Sequence, residues 1–327
     1  MRDSLKRIVD DYNQNREVIG DCFKWEYSVV HPLCAYIFGA SDKMADAETI
    51  QKSKEIVKKN AGAFSSFRGS AYAPTSCLVA LSSDPEAEIQ NAVATNELLK
   101  KAFGWSEYMS LMAMMIKKLE GSNDLDKLIA DGKEIYEAIR AKHKLVTGGE
   151  DAVMSILLAL KGQPVEDIVN ESEEIMTELK EYGTTGSRQV AALVLTLSDK
   201  PVAEKCRRFK ALFEGIRERG KKYRKDESIA LLASLAVTDV DVNTLLDDIC
   251  AVDDELADKK GYKGFTASYD RPMRAMHAAM LVSLDYTPTG SDDEAAVSNI
   301  TALFLVHQII VFSIEMSIAM ANVAFII

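Results

Sequence analysis

The sequence predicts an all-α protein: irregular helix–turn–helix repeats forming an αα-superhelix (a HEAT-like solenoid), followed by a long apolar C-terminal helix. Three observations predict it. A leucine, a proline and a glycine recur at fixed offsets: Leu81, Pro85 and Gly104 share their spacing with Leu160, Pro164 and Gly183, and again with Leu197, Pro201 and Gly220. The segments between are rich in Ala, Leu, Met, Glu and Lys, with no sustained period-two alternation and no Asn-Gly hairpin turn. Residues 300–327 are apolar on all sides.

Each offset has a physical reading. The runs that end at the leucine, "SCLVAL", "SILLAL" and "ALVLTL", are apolar helix ends. Proline opens the next helix, where its missing N–H costs nothing. Acidic residues behind it, Glu86 and Glu88 or Glu166 and Asp167, suit the positive end of that helix. The glycine about a helix length further on is a natural left-handed C-cap. Weaker copies place leucine-like markers at Ile37, Ile116, Leu235 and Leu284, with Asp239 in the proline slot after Leu235. Residues 1–290 therefore divide into repeats near 31–62, 70–104, 106–148, 150–183, 187–220, 227–261 and 271–290, a period that suits a helical solenoid.

The chain has 327 residues, 47% hydrophobic and 27% charged, with a formal net charge of −11. That balance opposes nonspecific nucleic-acid binding. The most basic stretch, "GIRERGKKYRKDES" (215–228), reads as a helix end and loop. Five cysteines at long spacings, with no CxxC, argue against a disulfide framework or zinc site and point to free thiols in a reducing cytoplasm. The polar start "MRDSLKRIVDDYNQN" has no signal-peptide core. No cofactor or metal is expected: four histidines form no i, i+4 pair, and the nucleophile-elbow and glycine-rich phosphate-loop patterns are missing.

Two constellations carry the candidate binding residues. "HKLVTGGEDAVM" (143–154) places Thr147 and Glu150 as a capping box before an apolar run, and His143, Glu150 and Asp151 as a small polar site at a helix mouth. Arg68 and Arg271 stand at one offset before Leu81 and Leu284, and Arg188 opens the repeat that contains Leu197. Equivalent solenoid positions share an edge, so these arginines either line one rim as an anion or acidic-peptide groove or bond the neighbouring repeat. Tyr269, Asp270, Arg271, Arg274 and His277 make the densest polar cluster.

Ser291 and Glu294 form a second capping box ahead of the apolar stretch. His307, Gln308 and Glu315 lie within it, and no Lys or Arg flanks it, which favours burial against the repeats or in a homodimer seam over a membrane tail. Glu315 is then a buried carboxylate in need of a partner and a further site candidate.

"LLKKAFGWSEYMSLMAMMI" (98–116) and "AKHKLVTGGEDAVMSILLAL" (141–160) resemble stretches of an all-helical bacterial family of about this length, catalogued as a domain of unknown function. The resemblance implies a helical fold and carries over no activity and no catalytic residue. The expected role is a cytoplasmic binding module for a protein, peptide or small anionic ligand, with no nucleic-acid partner. The alternatives are an αα-superhelical enzyme using acids and His143 or His277, and membrane association through residues 300–327.

Overall fold

The computed structural model describes residues 1–24, 28–120, 124–223, 229–264 and 267–286. Among these, fourteen α-helices and no strand occur. They are α1 (Asp3–Cys22), α2 (His31–Ala40), α3 (Ala47–Asn60), α4 (Tyr72–Leu81), α5 (Pro85–Phe103), α6 (Tyr108–Glu120), α7 (Leu125–His143), α8 (Gly149–Ala159), α9 (Val165–Glu178), α10 (Thr185–Thr196), α11 (Val202–Glu218), α12 (Ile229–Ala236), α13 (Val242–Ala257) and α14 (Arg271–Asp285). Single 3-10 turns cover Ser28–Val30 and Ser66–Arg68.

Even-numbered and odd-numbered helices have different sequences because they occupy different layers. The eight residues of α12, "IALLASLA", are buried on every face, as are Ala152–Leu158 of α8 and His31–Phe38 of α2. Odd-numbered helices keep a single apolar stripe. In α9 the buried residues are Ile168, Val169, Ser172, Ile175 and Met176, at helical spacing, with acids on the outer side. The even helices thus form an inner layer and the odd helices an outer one.

Each outer helix packs on the inner helix that follows it as an antiparallel hairpin. Neighbouring inner helices run parallel. Tyr108 at the start of α6 bonds Glu150 at the start of α8, while Lys161 just beyond α8 bonds the Thr196 carbonyl at the end of α10. All inner helices therefore begin at one end of the molecule, and the proline-led turns lie at the other.

The seven hairpins are not an open solenoid. Inner contacts run α2, α4, α6, α8, α10, α12, α14 and return to α2; outer contacts run α1, α3, α5, α7, α9, α11, α13 and return to α1. The expected superhelix closes into a two-layered ring. Tyr36 of α2 meets Ser283 of α14 at 3.4 Å across the inner closure, and Arg2 beside α1 pairs with Asp248 of α13 at 2.7 Å across the outer one. The phase of the repeat also differs from the expectation. An inner helix packs more extensively on the outer helix before it than on the outer helix after it.

The local punctuation is mostly where the offsets put it. Pro85 is the first residue of α5, capped by Asp84, whose carboxylate accepts from Ala87 N at 3.1 Å. Pro164 and Pro201 stand one position earlier, at the N-cap, with ψ of 137° and 142°. Gly104 and Gly220 take the left-handed φ of 87° and 73°. Gly183 does not, because α9 stops at Glu178 and a bonded turn from Leu179 to Tyr182 replaces the glycine cap. The predicted C-terminal helix, with the Ser291–Glu294 box and Glu315, lies outside the described residues. No helix among the described residues is long and apolar enough to cross a membrane.

Candidate functional site

The end at which the inner helices begin collects most of the predicted residues. Neighbouring inner helices are laced there by polar side chains. Ser66, in the turn before α4, shares a hydroxyl bond with Ser110 of α6. The Tyr108 hydroxyl donates to Glu150 Oε1 at 2.9 Å, and Gln189 Nε2 of α10 donates to Asp151 Oδ1 at 2.7 Å and Thr147 Oγ1 at 3.1 Å.

The α8 cap differs from the expected box. Asp151, not Glu150, reaches back, accepting from Gly148 N at 2.7 Å, and Thr147 turns away to donate to the His143 carbonyl at 2.9 Å. The cap begins one residue later because Gly148 takes the extended N-cap conformation. Glu150 is thereby released from backbone duty. Burial raises its carboxyl to about 7, against the opposing Tyr108 bond and helped by the Asp151 charge beside it. Burial raises Asp151 as well, although Gln189 and the Gly148 amide favour its charged form. A carboxyl near neutrality beside a phenol holds or releases a proton over the physiological range. His143 belongs to the outer layer, with Nε2 2.6 Å from Glu173 Oε1 of α9.

Three predicted arginines share this end. Arg68 and Arg271 are exposed, and Arg188 is half-buried. Arg188 bonds only within its own first turn, to the Thr184 carbonyl at 3.3 Å and Thr185 Oγ1 at 3.2 Å. Neither Arg68 nor Arg271 forms an ion pair with a described carboxylate. The structural arginines behave otherwise. Arg208 grips the Ala236, Thr238 and Val240 carbonyls at the end of α12, and Arg219 pairs with Asp247 at 3.0 Å.

The densest predicted cluster separates into structural parts. Arg274 forks onto Asp253 of α13 at 2.8 and 3.1 Å, beside Lys221, which pairs with the same carboxylate. Asp270 caps α14 by accepting from Met273 N. Tyr269 and His277 are buried in the seam where the ring closes. Tyr12 of α1 meets the Tyr262 hydroxyl at 2.8 Å, and that hydroxyl lies 2.7 Å from His277 Nδ1. Arg16 sits 4.9 Å from the Tyr262 ring centre and 5.5 Å from that of Tyr269, and donates to the Lys260 carbonyl. Burial, with the Arg16 charge behind it, holds His277 down at about 3. Sequence reading missed Tyr12, Arg16 and Tyr262, since nothing local marks residues that meet only on closure.

Among the described residues no group of three or more His, Cys, Asp or Glu side chains is placed to hold a metal ion. The five cysteines are free. A groove of about 530 Å³ between α9 and α11 is lined by Glu174, Glu178, Cys206, Lys210 and Glu214, but its charges answer each other, Lys210 pairing with Glu178 at 2.7 Å.

No curated protein and no solved structure matches the chain. A family model described as protein of unknown function (DUF4003) matches residues 15–320, and the chain belongs to that family.

Proposed function

We propose that the chain, as a member of a family of unknown function, is a binding module. Its helical repeats are bent into a ring, and its working surface is the end at which the inner helices begin. The observation that carries this reading is the trio Arg68, Arg188 and Arg271, which share one end and pair with no described carboxylate, while Arg2, Arg219 and Arg274 have one. Parallel inner helices add their positive ends to the same surface. Anionic groups on a ligand match both features.

The spacing argues for an extended partner. Seven helices about 9 Å apart make an inner ring roughly 20 Å across. The three arginines belong to the α4, α10 and α14 entries, so one small anion does not reach all of them. The test is a pull-down from native extract with the full chain and with Arg68→Ala/Arg188→Ala/Arg271→Ala. Loss of salt-sensitive partners from the triple variant is expected; an unchanged set sinks the reading.

A second reading, acid–base chemistry at the same end, is favoured by one observation, the Glu150 carboxyl near neutrality against Tyr108. Neither histidine serves it as an acid or base in the mouth: His277 is buried in the seam and His143 is engaged by Glu173.

A further inference from the structure

The most exposed large apolar side chains of the described residues lie on consecutive loops at this same end. Phe64 in the α3–α4 loop is 103% exposed, Trp105 in the α5–α6 loop 68%, and Leu145 in the α7–α8 loop 99%, with Val146 beside it at 37%. The loops are neighbours in space. Ser66 bonds Ser110 just inside α6, and a Cβ on Gly149 would meet Ser106 and the Tyr108 ring. Nothing local requires these side chains to be apolar, since each points into solvent.

The same loops are basic in an acidic protein. Residues 61–71, 100–107 and 140–149 hold Arg68, Lys100, Lys101, Arg140, Lys142 and Lys144 against one carboxylate, Glu107, while the whole chain carries −11. Lys100 pairs with Glu97. Arg68, Lys101, Arg140, Lys142 and Lys144 are exposed and form no ion pair with a described carboxylate. The opposite end presents exposed Asp42, Asp46, Asp84, Asp199 and Asp239, of which Asp199 pairs with Lys161 and Asp239 with Lys200. The molecule is thus polarised along the ring axis, and a negative surface attracts one end while repelling the other.

We propose that this end docks on an anionic lipid bilayer: Phe64, Trp105, Leu145 and Val146 enter the headgroup region, and the five unpaired cations lie over the lipid phosphates. The inference rests on reading this end as the working surface and names its partner. Separate apolar tips ringed by cations fit a bilayer interface, where aromatic rings and lysines settle together.

The test is flotation of the full chain with vesicles of phosphatidylcholine alone, or with about a third phosphatidylserine, at low and physiological salt. Binding to the serine-containing vesicles, weakened by salt, is expected, with a blue shift of Trp105 emission read in a Trp25→Phe background, since the chain has two tryptophans. Phe64→Ser/Trp105→Ser/Leu145→Ser should reduce partitioning about tenfold or more, as should Arg140→Gln/Lys142→Gln/Lys144→Gln. These positions are exposed, so circular dichroism should show both variants folded, and both retain residues 300–327. Equal binding to neutral and anionic vesicles, undiminished binding by the tip variant, or no flotation with any vesicle overturns the proposal. If vesicles do not bind but the triple arginine variant still loses partners in the pull-down, the lipid assignment fails while the working-surface reading stands.

Discussion

Glu150 is the residue where local chemistry and function meet. Its backbone position at the second residue of α8 favours a negative charge, yet burial holds it near 7, so desolvation outweighs the helix end. A carboxyl raised from 4.5 in the unfolded chain to about 7 in the fold favours folding most while protonated. That contribution is fully present below about pH 4.5 and is lost as pH rises through 7. Glu150→Gln should therefore raise the thermal midpoint at pH 8 and leave it nearly unchanged at pH 4.5; equal shifts at both would contradict the assignment. Much of this site was legible in the sequence: Thr147, Glu150 and Asp151 announce a helix mouth. Which carboxylate caps it was not, because Glu150 and Asp151 are adjacent and only the extended Gly148 backbone decides between them. Arg274 and Arg271 show the same limit, since one finds Asp253 and the other faces solvent from the same helix.

At the scale of the element, the code is local and was readable. Inner helices are apolar on all sides, outer helices have one stripe, and proline, aspartate and glycine mark the turns between. Close approach between the two layers was not readable. Gly132 of α7 faces α8, where an added Cβ would lie 2.9 Å from both Cα and Cγ1 of Ile156. Backbone cannot retreat as a side-chain tip does. Gly132→Ala should cost about 1–3 kcal/mol by overpacking, measured as a shift in urea midpoint, although alanine is the better helix former. Gly62→Ala, with nothing within 4 Å, is the control and should change little. If the two substitutions behave alike, the α7–α8 packing described is wrong.

Closure is a property of the whole molecule, and the repeat spacing does not contain it. The offsets say that hairpins follow one another; the small rotation between successive hairpins decides whether their stack stays open. The residues that seal the ring lie far apart in sequence, as Tyr12 and Tyr262 do, so no window of sequence holds both. Arg16, buried among Tyr12, Tyr262 and Tyr269, carries much of that seam. Arg16→Met removes the Lys260 carbonyl bond and the ring contacts and should cost about 1–3 kcal/mol and speed amide exchange in both α1 and α14; exchange confined to α1 would argue against a joined seam. Closure also has a functional consequence, since it gathers the seven inner helix starts, the arginine trio and the apolar loop tips on one end. That is the central claim, and radical footprinting of the full chain, in cells and after purification, tests it most directly without knowledge of the ligand. Phe64, Trp105 and Leu145 should be shielded in cells relative to the purified protein, while Met44, 48% exposed in the α2–α3 loop at the opposite end, reacts alike in both. Shielding of Met44 with Phe64, Trp105 and Leu145 unchanged would contradict it.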